Sequence, residues 1–490
     1  MTWALVLVPA VLGLQSFVTR SNTWRRVLLV AGAIGHFVMT AMAWRNLPAP
    51  AWGGWLELDA AGLLFLSITS VLFLAAACYA AGYLSREKAS ESDLEEGLLF
   101  TNQPEAVFTG CLLMFLAAMT LVCLSRHLGL LWVAIEGTTL CSAPLIYFHR
   151  HHRSLEAAWK YLMICSVGIA LALLGNFFLA VAFSSGGRSA SLALSSLTQA
   201  GVTPQLVWLK LAFVFLLVGY GTKMGLAPMH TWLPDAHSEA PSVVSALLSG
   251  ALLNCAFLGI LRVWQVLVAA GHADFARPLL VGFGLLSMAV AAVFILGQTD
   301  YKRMLAYSSV EHMGILALGV GLGGAAVFGA LLHAVNHSLT KAMLFMAAGG
   351  ILAAYRTKTC SGVKGLARAM PVTGALWIAG FFAITGTPPF GVFVSKFIIL
   401  RQAFLGGHVW IGVAALVILA VVFVGLALIV LRMAQGEAPE GAGTGALRDV
   451  AWTVIPPAVL GVAVLALGLW LPTWLEGVLQ QAAHSFGGGL

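Results

Sequence analysis

The stretch Lys223-Met-Gly225-Leu-Ala-Pro228-Met-His230-Thr-Trp-Leu-Pro234-Asp235-Ala-His-Ser-Glu-Ala-Pro241-Ser-Val-Val-Ser-Ala-Leu-Leu-Ser249-Gly250 decides how the chain folds. A lysine, two acids, two histidines and three prolines stand here between long apolar runs that begin near residues 205 and 240. In water such a connector is ordinary. Between two membrane spans it is costly, because the backbone groups that proline and glycine free must find water or polar partners. The reading therefore turns on whether the flanks cross a bilayer.

Composition settles that point. The chain is 60% apolar and only 9% charged, with a mean hydropathy of +0.94, whereas soluble domains carry about a quarter charged residues. Apolar stretches of about 20 residues, long enough for the hydrocarbon core, begin near residues 2, 26, 57, 106, 128, 155, 205, 240, 273, 303, 325, 369, 408 and 450. An all-α integral membrane protein of about fourteen transmembrane helices follows. The first stretch has no basic segment before it and no obvious cleavage site, and is expected to be a retained span.

Basic residues give the orientation. Loops after odd-numbered spans hold Arg20, Arg25, Arg26, Arg86, Lys88, Arg150, Arg153, Lys302, Arg303, Arg356, Lys358, Lys364, Arg368, Arg432 and Arg448. Those after even-numbered spans hold Arg45, Arg126, Arg188, Arg262, Arg277 and Arg401. Fifteen against six puts the odd loops in the cytoplasm and both termini outside. The net charge of +7 thus reflects topology, and nothing points to nucleic acid. Seven cysteines without a Cys-x-x-Cys pair read as small core residues, so no metal or iron–sulfur centre is expected in this chain.

The stretch around Gly225 has a counterpart further on. Gly225, Ala227, Pro228, Met229 and Trp232 align with Gly386, Pro388, Pro389, Phe390 and Phe393. An aromatic four residues before an acid, Trp132 and Glu136, matches Tyr307 and Glu311; Lys160 stands eight residues before Gly168, as Lys341 does before Gly349. These matches divide the chain into an N-terminal three-helix segment with an acidic loop (1–105), a first five-helix repeat (106–265), a second (273–432), and a C-terminal helix and tail (450–490). An odd number of spans per copy inverts the second relative to the first, the architecture of secondary transporters. The two Gly-x-x-Pro sites are read as breaks in helices beside a hydrated cavity; the plainer reading is a packing kink.

Ionisable residues inside spans carry the functional reading. A lysine at the bilayer centre costs about 2.5–3.5 kcal/mol on insertion scales, so Lys223, Lys341 and Lys396 must pair or line water. Lys210 lies near a helix end, snorkels, and is given no role. Glu136 reads as deep in the fifth span, and Glu311 as nearer an interface in the tenth. A Glu136–Lys223 contact that opens and closes would shift the lysine's proton affinity. His333, His337 and Lys341, four residues apart on one helix, line one face over about 12 Å and read as a proton relay. A single such histidine would more often be a hydrogen-bonded core residue. Metal binding by the histidines is the weaker alternative, with His312 as its possible third ligand. The run Gly319–Gly324 reads as close packing or a turn, and His149, His151 and His152 as a cytoplasmic loop.

At these residues a resemblance enters. The string from Lys223 to Gly250, Tyr301-Lys-Arg-Met-Leu-Ala-Tyr-Ser-Ser-Val310, His333 through Lys341, Gly386-Thr-Pro-Pro-Phe-Gly391 and Ser395-Lys396-Phe397 are similar to the signature of antiporter-like subunits of complex I, multisubunit cation/proton antiporters and group 4 membrane-bound hydrogenases. The resemblance covers about residues 100 to 410. It implies fourteen helices, two inverted five-helix repeats, discontinuous seventh and twelfth helices, and a central charged axis. Glu136 would be the fifth-helix acid, Lys223 its partner, Lys341 the central lysine with His333 and His337 beside it, and Lys396 the terminal proton site; Lys160, His230, Asp235, Asn254 and Glu311 are accessory. Ser249 stands where several relatives have a histidine, leaving the link between half-channels to water or Asn254. With Glu311 in Ser-Val-Glu-His-Met-Gly, this resembles the component F type of hydrogenase-4. The ending near residue 490 implies no long lateral helix.

The resemblance implies a proton-translocating subunit of a complex I-like or hydrogenase-type oxidoreductase complex in a bacterial inner membrane. It carries no redox site or cofactor of its own, and its partners are other membrane subunits and peripheral iron–sulfur or nickel–iron hydrogenase-like chains. The competing readings are a subunit of a sodium/proton antiporter and a membrane anchor that no longer conducts.

Overall fold

The chain folds into membrane-length helices because long apolar runs leave the backbone no partner but itself. The computed structural model describes residues 1–87, 90–92, 99–184, 191–201, 203–437 and 448–489. Lys88 and Arg188, counted among the loop charges, lie outside the described residues, as do parts of the acidic and Gly-rich loops. The N-terminal helices are α1 (Thr2–Val18), α2 (Asn22–Arg45) and α3 (Ala60–Leu84). A short antiparallel pair, β1 (Ser90–Ser92) with β2 (Leu99–Thr101), precedes α4 (Glu105–Leu124). Next come α5 (Leu128–Ile146), α6 (His152–Phe183), α7 (Leu206–Met224), the short α8 (Trp232–Glu239) and α9 (Ser242–Ala269). The remainder is α10 (Ala273–Ile295), α11 (Tyr301–Leu322), α12 (Ala325–Tyr355), α13 (Pro371–Thr385), α14 (Gly391–Leu405), α15 (Val409–Ala434), α16 (Ala451–Leu469) and α17 (Thr473–Ser485). Among the described residues, 12 helices are long and apolar enough to cross a membrane; α1 and α13 are shorter.

Both expected breaks are present. α7 stops at Gly225 and α13 at Gly386, each in the left-handed region at φ 84° and 82°, where glycine carries no side-chain penalty. The three-residue offset from glycine to proline, Pro228 and Pro389, is the same in both. A third interruption, Ala240-Pro241, separates α8 from α9, and α9 contains a π-helical turn at Leu248–Leu252.

Burial separates an inner from an outer set of helices. Nearly all of α9, α11 and α12 is inaccessible, whereas α6 and α15 keep broad exposed apolar faces, as lipid- or protein-facing helices do. Small residues bring backbones together: a Cβ on Gly284 of α10 would lie 2.7 Å from the carbonyl oxygen of Gly314 on α11.

Two basic residues assigned to loops are inside the fold. Arg262 is a wholly buried residue of α9, and Lys302, 1% exposed, is in the first turn of α11. Arg303, Arg277 and Arg401 likewise belong to helices. Hydropathy ends a span at a charge, but a paired charge is tolerated within one. Arg262 has such a partner. Asp59, the N-cap of α3, accepts Nη1 and Nη2 of Arg262 at 2.6 and 2.7 Å, and Arg126 Nη1 at 2.7 Å.

Burial alone would raise the Asp59 carboxyl, but the two guanidiniums hold it well below the usual carboxylate range. With its folded pKa depressed, the group stabilises fully above the ordinary aspartate pKa and loses that contribution as pH falls through the folded value. Asp59→Ala is therefore expected to cost about 3 kcal/mol at neutral pH, the lower end for stranding a buried charge. Thermal unfolding in detergent should show the deficit at pH 7 and a narrowing gap from wild type below about pH 4.

Candidate functional site

The long α12 carries the core of the site. Its 31 residues include a face of His333, His337 and Lys341, each fully buried. Across from it, α11 supplies Glu311 and His312, also buried. His312 Nδ1 and His333 Nε2 share a hydrogen bond of 2.8 Å, and His333 Nδ1 lies 2.9 Å from Ser395 Oγ on α14. The His312 ring centre is 4.8 Å from that of His337. Lys341 Nζ donates to the Leu305 carbonyl at 2.6 Å. Lys396 Nζ pairs with Glu311 Oε1 at 3.1 Å and points at the carbonyls of Ile384 and Thr385, at 3.3 and 3.4 Å. Those carbonyls end α13 at the Gly386 break, so the interruption supplies acceptors to the ammonium. His312 and His333 meet edge to edge through their ring nitrogens, and among the described residues no group of three or more His, Cys, Asp or Glu is placed to hold a metal.

The first half is built around Lys223 in the last turn of α7, wholly buried. It donates to Thr139 Oγ1 at 2.8 Å and Tyr161 Oη at 2.5 Å. Thr139 donates in turn to Glu136 Oε2 at 3.1 Å, and Ser166 to Oε1 at 3.3 Å. Glu136 and Lys223 are thus linked through one hydroxyl, with no direct ion pair between them. Exposure separates the two acids: Glu311 is 1% exposed and paired, while Glu136, midway along α5, is only partly buried. Helical position gives depth along a span, but facing direction is set by packing.

The accessory residues divide. Lys160, with 46% of its side chain exposed, pairs with Glu156 at 2.7 Å and Asp235 at 2.9 Å. Asp235 also pairs with Arg303, so these form an ion cluster at the chain surface, apart from the buried run. His230 stands against Tyr307, ring centres 6.2 Å apart. Asn254 Nδ2 donates to Ser338 Oγ at 2.6 Å, between the two halves, and Ser249 bonds Ser309 at 2.8 Å beside it. Lys210 lies over the Phe275 ring at 5.1 Å.

Sequence reasoning passed over Thr139 and Tyr161, which have no signature of their own, quoted Ser395 only as a neighbour of Lys396, and gave His312 only a metal role. His312 is adjacent to Glu311, a spacing that does not share a helix face; the site reaches both because α12 and α14 approach α11 from different sides. Asn336 Oδ1 and Ser308 Oγ are buried here without a hydrogen-bond partner among the described residues, and His312 Nε2 stands 3.5 Å from Glu311 Oε2.

Fold and site together define a polytopic membrane protein with a run of ionisable groups through its interior. The family model for the NADH:quinone oxidoreductase/Mrp antiporter transmembrane region matches residues 125–423. A hydrogenase-4 component F homolog of Methylacidiphilum infernorum is 40% identical over 356 residues, 72% of this chain and 73% of that one. NADH-quinone oxidoreductase subunit N of Desulforudis audaxviator is 30% identical over 471 residues, 92% of this chain and 90% of that one. A chain of the archaeal membrane-bound sulfane sulfur reductase superposes with a TM-score of 0.84 at 21% identity, covering 99% of this chain and 98% of that one. A chain of Thermus thermophilus respiratory complex I gives 0.82 at 22%, covering 100% of both. The chain belongs to the family of antiporter-like membrane subunits shared by NADH:quinone oxidoreductases and Mrp antiporters.

Proposed function

We propose that this chain translocates protons as a membrane subunit of a complex I-like or hydrogenase-type oxidoreductase complex, the electron-transfer centres residing in partner chains. The observation that carries the reading is the buried contact of His312, His333, Ser395, Glu311 and Lys396 on three helices, continuous with His337 and Lys341. Imidazole titrates near neutral pH and exchanges protons through either nitrogen. Lysines held without a compensating charge lose their proton more readily, and regain it when an acid approaches. Lys223, one hydroxyl away from Glu136, is arranged for that exchange. Glu136, Lys223, Lys341 and Lys396 are assigned as proton-carrying groups, with His333 and His337 between them.

The element order supports two five-helix repeats, α4 to α9 and α10 to α15, each with one helix broken after a left-handed glycine; an odd number of spans inverts one against the other. The basic bias supports cytoplasmic odd loops and both termini outside, in a bacterial inner membrane. The relatives' names support membrane and peripheral redox partners.

Lys223→Ala is expected to slow substrate-driven acidification of inverted vesicles about a hundredfold, with the complex still assembled; a wild-type rate removes Lys223 from the path. Mass spectrometry of the purified complex should find iron–sulfur and hydrogenase-like chains. Only small antiporter subunits would move the assignment to a sodium/proton antiporter.

A further inference from the structure

The relay face of α12 extends beyond Lys341. Residues four apart run His333, His337, Lys341, Phe345 and Gly349, each step rising about 6 Å. The far end opens: Gly349 lines a cavity of about 800 Å³ whose wall also includes Tyr79, His149, Glu239, Ser242 and Lys302. Between that polar cavity and Lys341 stands Phe345, which carries no proton. His237 lies against it. Its ring stacks on Phe345, centres 5.0 Å apart and planes within 16°.

His237 belongs to the segment that forms the cavity wall through Ser238, Glu239 and Ala240, yet its own side chain is turned inward and wholly buried. Neither ring nitrogen has a hydrogen-bond partner among the described residues, and neither has Ser242 Oγ on the wall beside it. The segment is pinned: Ser245 Oγ donates to the His237 carbonyl at 3.0 Å, and Lys302 Nζ donates to the carbonyls of Ser238 and Ala240 at 2.9 and 2.6 Å. A histidine serving only to pack on a phenylalanine would bond at least one nitrogen. Here the backbone is held while the ring, bonded at neither nitrogen, stands against α12 between the cavity wall and the level of Lys341.

We propose that His237 carries protons past Phe345, between the cavity and Lys341, an inference that rests on the proton-path reading above. One ring nitrogen takes a proton from cavity water while the other gives one, through water, to neutral Lys341. The ring stays neutral in its other tautomer, and rotation of the side chain resets it. Phe345→His offers a second route across the same step.

The test is the proton-uptake rate of vesicles carrying the whole complex, normalised to complex content, for wild type, His237→Gln, Lys341→Ala, and His237→Ala with and without Phe345→His. Glutamine keeps the polarity and cannot titrate. His237→Gln is expected to fall at least about tenfold, and Phe345→His to return a severalfold gain to His237→Ala, which a purely structural histidine would not allow. A wild-type rate in His237→Gln with Lys341→Ala inactive overturns the role of His237 and leaves the path standing. Wild-type rates in both remove the path itself. Should His237→Gln disturb assembly, the Phe345→His comparison decides, and no gain there overturns the proposal.

Discussion

Lys341→Ala is expected to abolish proton translocation while leaving the complex assembled. Lys341 is the only titratable residue on its face of α12 between His337 and the cavity at Gly349. Removing it leaves about 18 Å of helix face, from His337 to Gly349, without a titratable side chain of α12, and only His237 beside Phe345 stands along it. A loss of about a hundredfold or more in uptake rate is the expected size for removing a positioned proton donor and acceptor. The fold should tolerate the change, since alanine favours helix, and the lysine's ammonium is held by a hydrogen bond to a backbone carbonyl, with no ion pair to break. Vesicle acidification driven by the complex's own electron donor, compared with its electron-transfer rate, checks both halves of the expectation.

Glu311→Ala should be among the most destabilising single substitutions in the chain. Glu311 and Lys396 form a buried ion pair, 1% and 7% exposed, so removing the acid leaves an ammonium facing the Ile384 and Thr385 carbonyls without its counter-charge. Breaking one partner of such a pair costs about 3–5 kcal/mol, whereas replacing both by apolar groups of similar volume is often near neutral. Glu311→Leu with Lys396→Met is therefore expected to recover most of the stability lost by Glu311→Ala, while proton translocation stays lost. Detergent unfolding midpoints for the two singles and the double close the cycle. A double variant destabilised by the sum of the two single losses would mean that the pair is not coupled in the folded protein.

Much of this was readable in the residues because a bilayer narrows the choices. Helix starts at Leu128, Leu206, Ala273 and Ala325 fall where the apolar runs predict them, and both breaks follow from glycine and proline at matching offsets. Lys223, His333, His337, Lys341 and Lys396 are inside the fold because nothing outside it would accept them so cheaply. What failed was sidedness. Arg262 looked like a loop residue because its partner Asp59 is 203 positions away. Glu136 lies midway along its span as the sequence reads it, but packing leaves it partly exposed while Glu311 is drawn in to Lys396. His237 lay in plain view within the motif, yet only the turn at Ala240-Pro241 and the lie of α12 bring it over Phe345.

The two halves use different chemistry for a similar task. In the first, a hydroxyl separates acid from lysine, so a small movement of Thr139 makes or breaks the link from Lys223 to Glu136. In the second, Glu311 already holds Lys396, and the imidazoles of His312 and His333 stand between that pair and the rest of α12. Ser249, Ser309, Asn254 and Ser338 lie between the halves and provide hydroxyl and amide groups where a titratable side chain is absent.

Passage of protons through this chain is read by reconstituting the purified complex in sodium-free liposomes. The internal pH is followed while the complex turns over, for wild type and for the Lys223→Ala, Lys341→Ala double variant. Acidification that needs no sodium, collapses with a protonophore and is absent from the double variant is the predicted result. Equal acidification by both preparations, or acidification that appears only when sodium is supplied, would contradict the account.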